Sequence, residues 1–118
     1  MFLTMLKAKL HRATVTQTNL NYHGSVTIDR ELMKAAGLLP HEKVEIANLN
    51  NGSRMSTYVI EGQAGSGVIA LNGASARLSA VGDKVIILCY VLCTEEEARK
   101  LKPRVLILND KNEVVETL

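Results

Sequence analysis

The sequence predicts a mainly β fold, a small barrel of six or seven short strands with short helices capping its ends. Three observations predict it. Apolar and polar residues alternate in short runs, the period of a half-buried strand. Turn signals such as Asn50-Asn51-Gly52 and Val81-Gly82-Asp83 divide the runs. Helical spacing recurs over only two short stretches. A chain of 118 residues suits one domain, and strands this short close most simply as a barrel. So small a barrel holds few layers of side chains, and oligomerisation would stabilise it.

Met5 to Thr16 reads as the first strand. Leu6, Ala8, Leu10, Arg12 and Thr14 face one way, and Lys7, Lys9, His11, Ala13 and Val15 the other. Thr18 to Tyr22 is polar and reads as a loop. Gly24-Ser25 follows, then a short strand from Val26 to Ile28. Asp29 is a good helix N-cap, Leu32, Ala35, Ala36 and Leu39 keep helical spacing, and Gly37 supplies the stop. Lys43 to Leu49 and Arg54 to Glu61 form a hairpin about Asn50-Asn51-Gly52. Gly62 to Gly67 is glycine-rich, but it lacks the Lys-Ser/Thr ending and the following helix of a phosphate loop, so it reads as a turn. Val68 to Leu71 is a buried strand, and Ala74-Ser75-Ala76 a tight turn or one helical turn. Lys84 to Leu92 is the most apolar run and reads as a central strand. Thr94 and Glu97 form a capping box that opens a short helix to Lys100, with Glu95-Glu96-Glu97 as its solvated start. Past Pro103, Arg104 to Leu108 is a last strand and Asn109 to Asn112 a turn. The remainder reads as a loose polar end.

Apolar residues make up 47% of the chain, with no Trp, one Phe and three Tyr, so the core is aliphatic. The formal charge of +2, from 14 basic and 12 acidic residues, is too balanced to predict nucleic acid or a membrane as partner. Cys89 and Cys93 lie four residues apart in one strand, about 13 Å, too far for a disulfide. Both read as core residues, which fits a reducing, cytoplasmic compartment. No His or Cys cluster completes a metal site. The N-terminus lacks the apolar stretch of a signal peptide, and no segment is apolar for long enough to cross a membrane as a helix.

Four groups of polar residues fall at strand ends or turns: Lys9 with His11, Tyr22 to Ser25, Arg54 with Thr57 and Tyr58, and Asn72-Gly73-Ala74. Arg54 offers a planar fork for a carboxylate and Lys9 a point charge for a second. Tyr58 is a candidate proton donor. Asn72 and the N–H groups after Gly73 are candidates to hold an oxyanion. Each also has a bland reading, as strand former, turn residue or solvated surface. At Gly24-Ser25 the hydroxyl stands next to the carbonyl before it. A bent peptide there would let the acyl group move from nitrogen to oxygen. The ester could then eliminate to dehydroalanine, which hydrolyses to a pyruvoyl group.

The chain resembles the pyruvoyl-dependent aspartate 1-decarboxylases. The resemblance is carried by Lys-Leu-His-Arg (Lys9 to Arg12), Tyr-His-Gly-Ser (Tyr22 to Ser25), Ile28-Asp29, Asn-Gly-Ser-Arg-Met-Ser-Thr-Tyr (Asn51 to Tyr58), Leu-Asn-Gly-Ala (Leu71 to Ala74) and Val81-Gly82-Asp83. It covers almost the whole chain, and the motifs keep the family's order. It implies a double-psi β-barrel, a homotetramer with sites between subunits, and a precursor that cleaves itself between Gly24 and Ser25. The products would be a β chain, residues 1–24, and an α chain, residues 25–118, opening with a pyruvoyl group made from Ser25. Asn72 and Thr57 would hold the oxyanion and fix the Gly24 carbonyl. The pyruvoyl group would form a Schiff base with L-aspartate and act as electron sink as CO₂ leaves. Tyr58 would protonate the carbanion. Arg54, Lys9, Thr57, Gly73 and Ala74 would bind substrate, and His11 and Tyr22 would line the site. The product, β-alanine, serves pantothenate synthesis. The resemblance leaves both spontaneous cleavage and cleavage by a maturation protein open.

Gly24 to Ile46 also resembles the swapped-hairpin modules of AbrB-type DNA-binding regulators, through a shared strand, short helix and strand. Against that reading, the first strand lacks the dense Lys/Arg of a phosphate-binding face. It also leaves Arg54 to Tyr58 and Asn72 to Ala74 without a role. A non-catalytic barrel would keep the Gly24–Ser25 bond intact.

Overall fold

The computed structural model describes residues 1–118. Nine strands form: β1 (Phe2–Thr14), β2 (Gln17–Asn19), β3 (Ser25–Asp29), β4 (Lys43–Asn48), β5 (Arg54–Gly62), β6 (Ile69–Asn72), β7 (Lys84–Thr94), β8 (Arg104–Leu108) and β9 (Val114–Thr117). Two short helices, α1 (Arg30–Ala36) and α2 (Glu95–Lys100), and a 3₁₀ turn (Gly73–Leu78) complete the chain. The strands run in the order β2-β6-β3-β5-β4-β7-β1-β8-β9. β1 and β2 are consecutive parts of one pass, bridged by Val15 N–H to the Asp83 carbonyl and Thr16 N–H to the Ile69 carbonyl. The row therefore closes on itself, with β8 and β9 as a flap along β1. β3 lies parallel to β5, β2 to β6 and β1 to β8, while the other neighbours are antiparallel. The result is a closed barrel of about six ribbons with parallel pairs set among antiparallel ones, in keeping with the expected double-psi β-barrel. Apart from Met33 and Cys89 its core is aliphatic, from Ala8 and Leu10 to Leu106 and Leu108, with no aromatic ring.

The first strand departs from strict alternation. Ala8 and Leu10 are buried, and then Ala13 and Val15, so the buried side switches from even to odd numbers. A bulge between Leu10 and Ala13 causes the switch, with Arg12 in the left-handed region at φ 62°. The expectation that Ala13 and Val15 share a face with Lys9 and His11 is corrected accordingly. Lys9 and His11 still point away from the core face, as partly exposed residues.

Local signals set α1 firmly. The Asp29 carboxylate accepts from Glu31 N–H at 2.8 Å, and Gly37 ends the helix at φ 75°, where a left-handed residue is needed. The same carboxylate accepts from Gly65 N–H at 3.0 Å and Gly67 N–H at 2.8 Å. The glycine-rich loop thus wraps a carboxylate of its own chain. α2 opens on the expected capping box between Thr94 and Glu97.

Two segments differ from expectation. Part of the polar stretch read as a loop forms β2, which pairs with β6 through backbone bonds while its side chains stay exposed. Pairing without burial leaves no apolar alternation to read. The end of the chain is not loose either. β9 pairs antiparallel with β8. Buried Asn112 anchors the turn before it, accepting from Thr14 N–H at 2.7 Å and donating to the carbonyls of Thr14 and Gly67 at 2.9 and 2.7 Å. Cys89 and Cys93 are buried and free. Burial and the adjacent Glu42 carboxylate push the Cys89 thiol up to about 12. Glu42 accepts the thiol proton at 3.2 Å and pairs with Lys7 at 2.7 Å.

Candidate active site

Ser25 opens β3 between two neighbours. On one side β6 runs antiparallel and sets Asn72 opposite it. On the other β5 runs parallel, with Val26 opposite Val59, so Ser25 and Tyr58 each stand one residue before that pair. Val26 and Val59 fill the core, which turns Ser25 and Tyr58 to the outer face. Tyr58 is 40% exposed there, its ring centroid 6.3 Å from that of His41.

Ser25 is only 1% exposed, because the 3₁₀ turn covers it. Its Oγ accepts from Asn72 Nδ2 at 2.9 Å and donates to the His23 carbonyl at 3.3 Å. Asn72 Nδ2 also donates to Thr27 Oγ1 at 3.0 Å. A buried amide with both protons engaged fixes the rotamer of the serine it touches. Ser75 Oγ donates to the Asn72 carbonyl at 2.8 Å and lies 3.5 Å from the Ser25 carbonyl oxygen. Gly73 adopts φ 65°, and a Cβ there would stand 2.8 Å from Gly24 Cα, 3.0 Å from Gly24 N and 3.1 Å from the Tyr22 carbonyl. Only glycine permits that approach. The Asn72–Gly73 backbone is thereby pressed against the peptide before Ser25.

Thr57 stands two residues before Val59 on β5, as Gly24 stands two before Val26, and Arg54, Lys9 and His11 are spread along β5 and β1. Arg54 is exposed opposite Ala47 in the β4–β5 hairpin, and Thr57 is half-buried opposite Val44. Lys9 sits on β1 opposite Leu88 and Val105. Lys9 and Arg54 form no ion pair, whereas Lys7 is held by Glu42. His11 Nδ1 is buried with no hydrogen-bond partner. Burial, then the charges of Lys9 and Arg12, lower its pKa, so the ring is neutral near pH 7. Tyr22 is half exposed, edge-on to His23 at 5.7 Å. Within one chain, then, Gly24, Ser25, Asn72 and Gly73 come together, with Tyr58 beside them. No hydrogen bond or ion pair joins Lys9, His11 or Arg54 to that group. Thr27 and Ser75 belong to it and were not singled out from sequence. Thr27 was legible as the next residue on the Ser25 face of the strand. Ser75 lies within the small-residue turn and carried no separate signal.

Residues 1–115 match the family described as Aspartate decarboxylase. The chain belongs to that family. Among its relatives, the aspartate 1-decarboxylase of Bacillus cereus strain G9842 is 59% identical over 100% of this chain and 93% of its own. That of Carboxydothermus hydrogenoformans is 57% identical over 98% of this chain and 91% of its own. Among solved structures, a computationally designed protein, msDPBB_sym2, aligns with a TM-score of 0.46 at 23% identity, covering 75% of this chain and 99% of its own. That likeness is too slight to bear on the fold, which rests on the strand pairing. The match runs over residues 1–115, far beyond Gly24 to Ile46, and does not favour the DNA-binding reading.

Proposed function

We propose that this chain is a self-cleaving precursor that breaks its Gly24–Ser25 bond and decarboxylates L-aspartate at a pyruvoyl group made from Ser25. The reaction itself, aspartate to β-alanine and CO₂ for pantothenate synthesis, follows from the family. The observation that carries the cleavage reading is the buried Ser25 hydroxyl, held by Asn72 while Gly73 presses on Gly24. A serine kept only for packing needs neither the donor nor the close approach.

The site fits the group. The Asn72 amide lies 2.9 Å from Ser25 Oγ, the atom that would attack the Gly24 carbonyl and leave with it, so it would steady the oxygen that makes the group, whose ketone would stand on Ser25 Cα beside it. When formed, the pyruvoyl group supplies an electrophilic ketone that captures the substrate amine and takes up electrons as CO₂ leaves. The chain's own residues do the rest. Arg54 and Lys9, both free of ion pairs, neutralise the two carboxylates of aspartate. Gly73 and Ala74 offer backbone N–H groups to the substrate. Tyr58, one residue before the pair opposite β3, delivers a proton to the carbon that loses CO₂. Thr57 helps fix the Gly24 carbonyl during cleavage, and His11 and Tyr22 line the site. Cover from the 3₁₀ turn excludes water, which favours loss of a carboxylate whose charge disperses in the transition state.

No hydrogen bond or ion pair joins Lys9, His11 or Arg54 to Ser25 within one chain, and we infer that the site is completed between subunits of a homotetramer. No helix is long and apolar enough to cross a membrane, and we place the enzyme in the cytoplasm, with cleavage either spontaneous or aided by a maturation protein. Intact mass measurement tests the reading. Two fragments split after Gly24, the larger without a free amine, are expected, and Ser25→Ala should stay whole and inactive. A full-length wild-type chain stable to prolonged warming would leave a non-catalytic barrel instead.

A further inference from the structure

Ser75 is 1% exposed and polar, and it shares the buried side of its turn with Gly73 and Ala76. Alanine would fill the same space without a hydroxyl to satisfy, so the oxygen needs an account. Its hydrogen bond to the Asn72 carbonyl at 2.8 Å is a local one, three residues back. The second contact is not local. Ser75 Oγ lies 3.5 Å from the carbonyl oxygen of Ser25, fifty residues away. In the resting chain that is too long to count as a strong bond, and the single hydroxyl proton belongs to Asn72.

The Ser25 carbonyl gains charge at one moment of self-cleavage. Once the Gly24 acyl group has moved to Ser25 Oγ, the ester must eliminate. The Ser25 Cα–H bond breaks, and its proton passes to water or hydroxide. The electron pair delocalises onto the Ser25 carbonyl oxygen as an enolate. It then returns to form the Cα–Cβ double bond while the Cβ–O bond breaks and Gly24 leaves as a carboxylate. A Cα–H beside an amide is a weak acid, so stabilising the enolate oxygen is the effective means of lowering that barrier.

We propose that Ser75 is a catalytic residue of self-cleavage, its hydroxyl turning from the Asn72 carbonyl to the Ser25 carbonyl oxygen and donating to the enolate during elimination. A hydroxyl rotates freely, so the switch needs no movement of backbone, and a bond to a charged oxygen is shorter and stronger than one to a neutral carbonyl. The inference rests on the reading that Ser25 is the cleavage serine. It assigns Ser75 to the second step only, leaving acyl transfer to Ser25 and Asn72.

The two steps can be separated in the full chain. Freshly purified precursor is warmed, and samples are taken with and without hydroxylamine, which cuts the ester and releases a larger fragment opening with a free Ser25 amine. In wild type, the fragment blocked by the pyruvoyl group should appear with little ester behind it. In Ser75→Ala, ester should accumulate, and the blocked fragment should form about 10- to 100-fold more slowly, the span of one charge-assisted hydrogen bond. Ser75→Cys, with a weak donor of similar size, should fall between the two. Formation of the blocked fragment at the wild-type rate in Ser75→Ala would overturn the proposal. So would slow cleavage without accumulated ester, which would mean that Ser75 acts only by holding Asn72. A wild-type chain that never splits would instead remove the self-cleavage reading on which both rest.

Discussion

Gly73 and Gly24 touch backbone to backbone: a Cβ on Gly73 would lie 2.8 Å from Gly24 Cα. The two positions are far apart in sequence, and neither glycine explains itself alone. Gly73→Ala should therefore do two kinds of harm. At φ 65° a side chain costs about 1–2 kcal/mol, and displacing the Gly24 peptide adds about 1–3 kcal/mol of overpacking. A lowered melting temperature together with slower fragment formation is expected. Normal cleavage in a destabilised variant would mean that the contact serves stability alone.

Asn72→Ala removes the donor shared by Ser25 and Thr27 and leaves two hydroxyls without it. Unpaired buried groups cost about 1–3 kcal/mol. Loss of a preorganised donor at a reacting centre slows chemistry by about 100- to 1000-fold. Fragment formation followed by denaturing gel should slow by that order. Wild-type cleavage kinetics would remove Asn72 from the processing machinery.

Much of this was legible in the sequence because the signals were local. Asp29 and Gly37 bound α1, Thr94 and Glu97 open α2, and the Asn-Gly turn sets the β4–β5 hairpin. What escaped was set by distant partners. β2 exists because β6 lies beside it, and β9 because Asn112 ties its turn to Thr14 and Gly67. The bulge at Arg12 reverses the buried face without a glycine to announce it. At the site, side-chain chemistry pointed to Arg54, Lys9 and Tyr58 and the resemblance tied Asn72 to the cleavage, but the pairing of β3 with β5 and β6 is what sets Tyr58 and Asn72 beside Ser25.

Asp29 should make the fold sensitive to acid. Burial alone would raise its pKa, but hydrogen bonds from the N–H groups of Gly67, Glu31 and Gly65 outweigh it and hold the carboxyl below its ordinary range. The stabilisation is thus complete above the unfolded value of about 4 and is lost as pH falls through the folded one. Asp29→Asn keeps a capable N-cap but removes the charged acceptor. Its melting temperature should lie below wild type at pH 7, and the two should converge as pH falls below the ordinary carboxylate range. A constant difference across that range would show that the charge contributes nothing.

The Cys89 thiol, pushed up to about 12 and bonded to Glu42, should be inert. Only the thiolate attacks alkylating reagents, and at pH 8 roughly one in ten thousand such thiols is ionised. Cys93 is buried too. Native protein treated with iodoacetamide at pH 8 should gain no mass, and unfolded protein should gain two labels. Rapid labelling of the native form would place Cys89 in an open, thiolate-forming environment.

Arg54 tests the division between making the site and using it. It is exposed, unpaired and unconnected to Ser25 within the chain, so Arg54→Ala should fold and cleave as wild type does. Turnover should differ. A carboxylate that loses a bidentate guanidinium loses about 1.5–3 kcal/mol of binding, so kcat/KM for aspartate should fall by about 10- to 100-fold, mostly through KM. Arg54→Lys should recover only part of it, because an ammonium keeps the charge and loses the fork. Unchanged aspartate kinetics in Arg54→Ala would leave Lys9 as the remaining cation for the substrate. Impaired cleavage would instead place Arg54 in precursor processing, against its position on the β4–β5 hairpin.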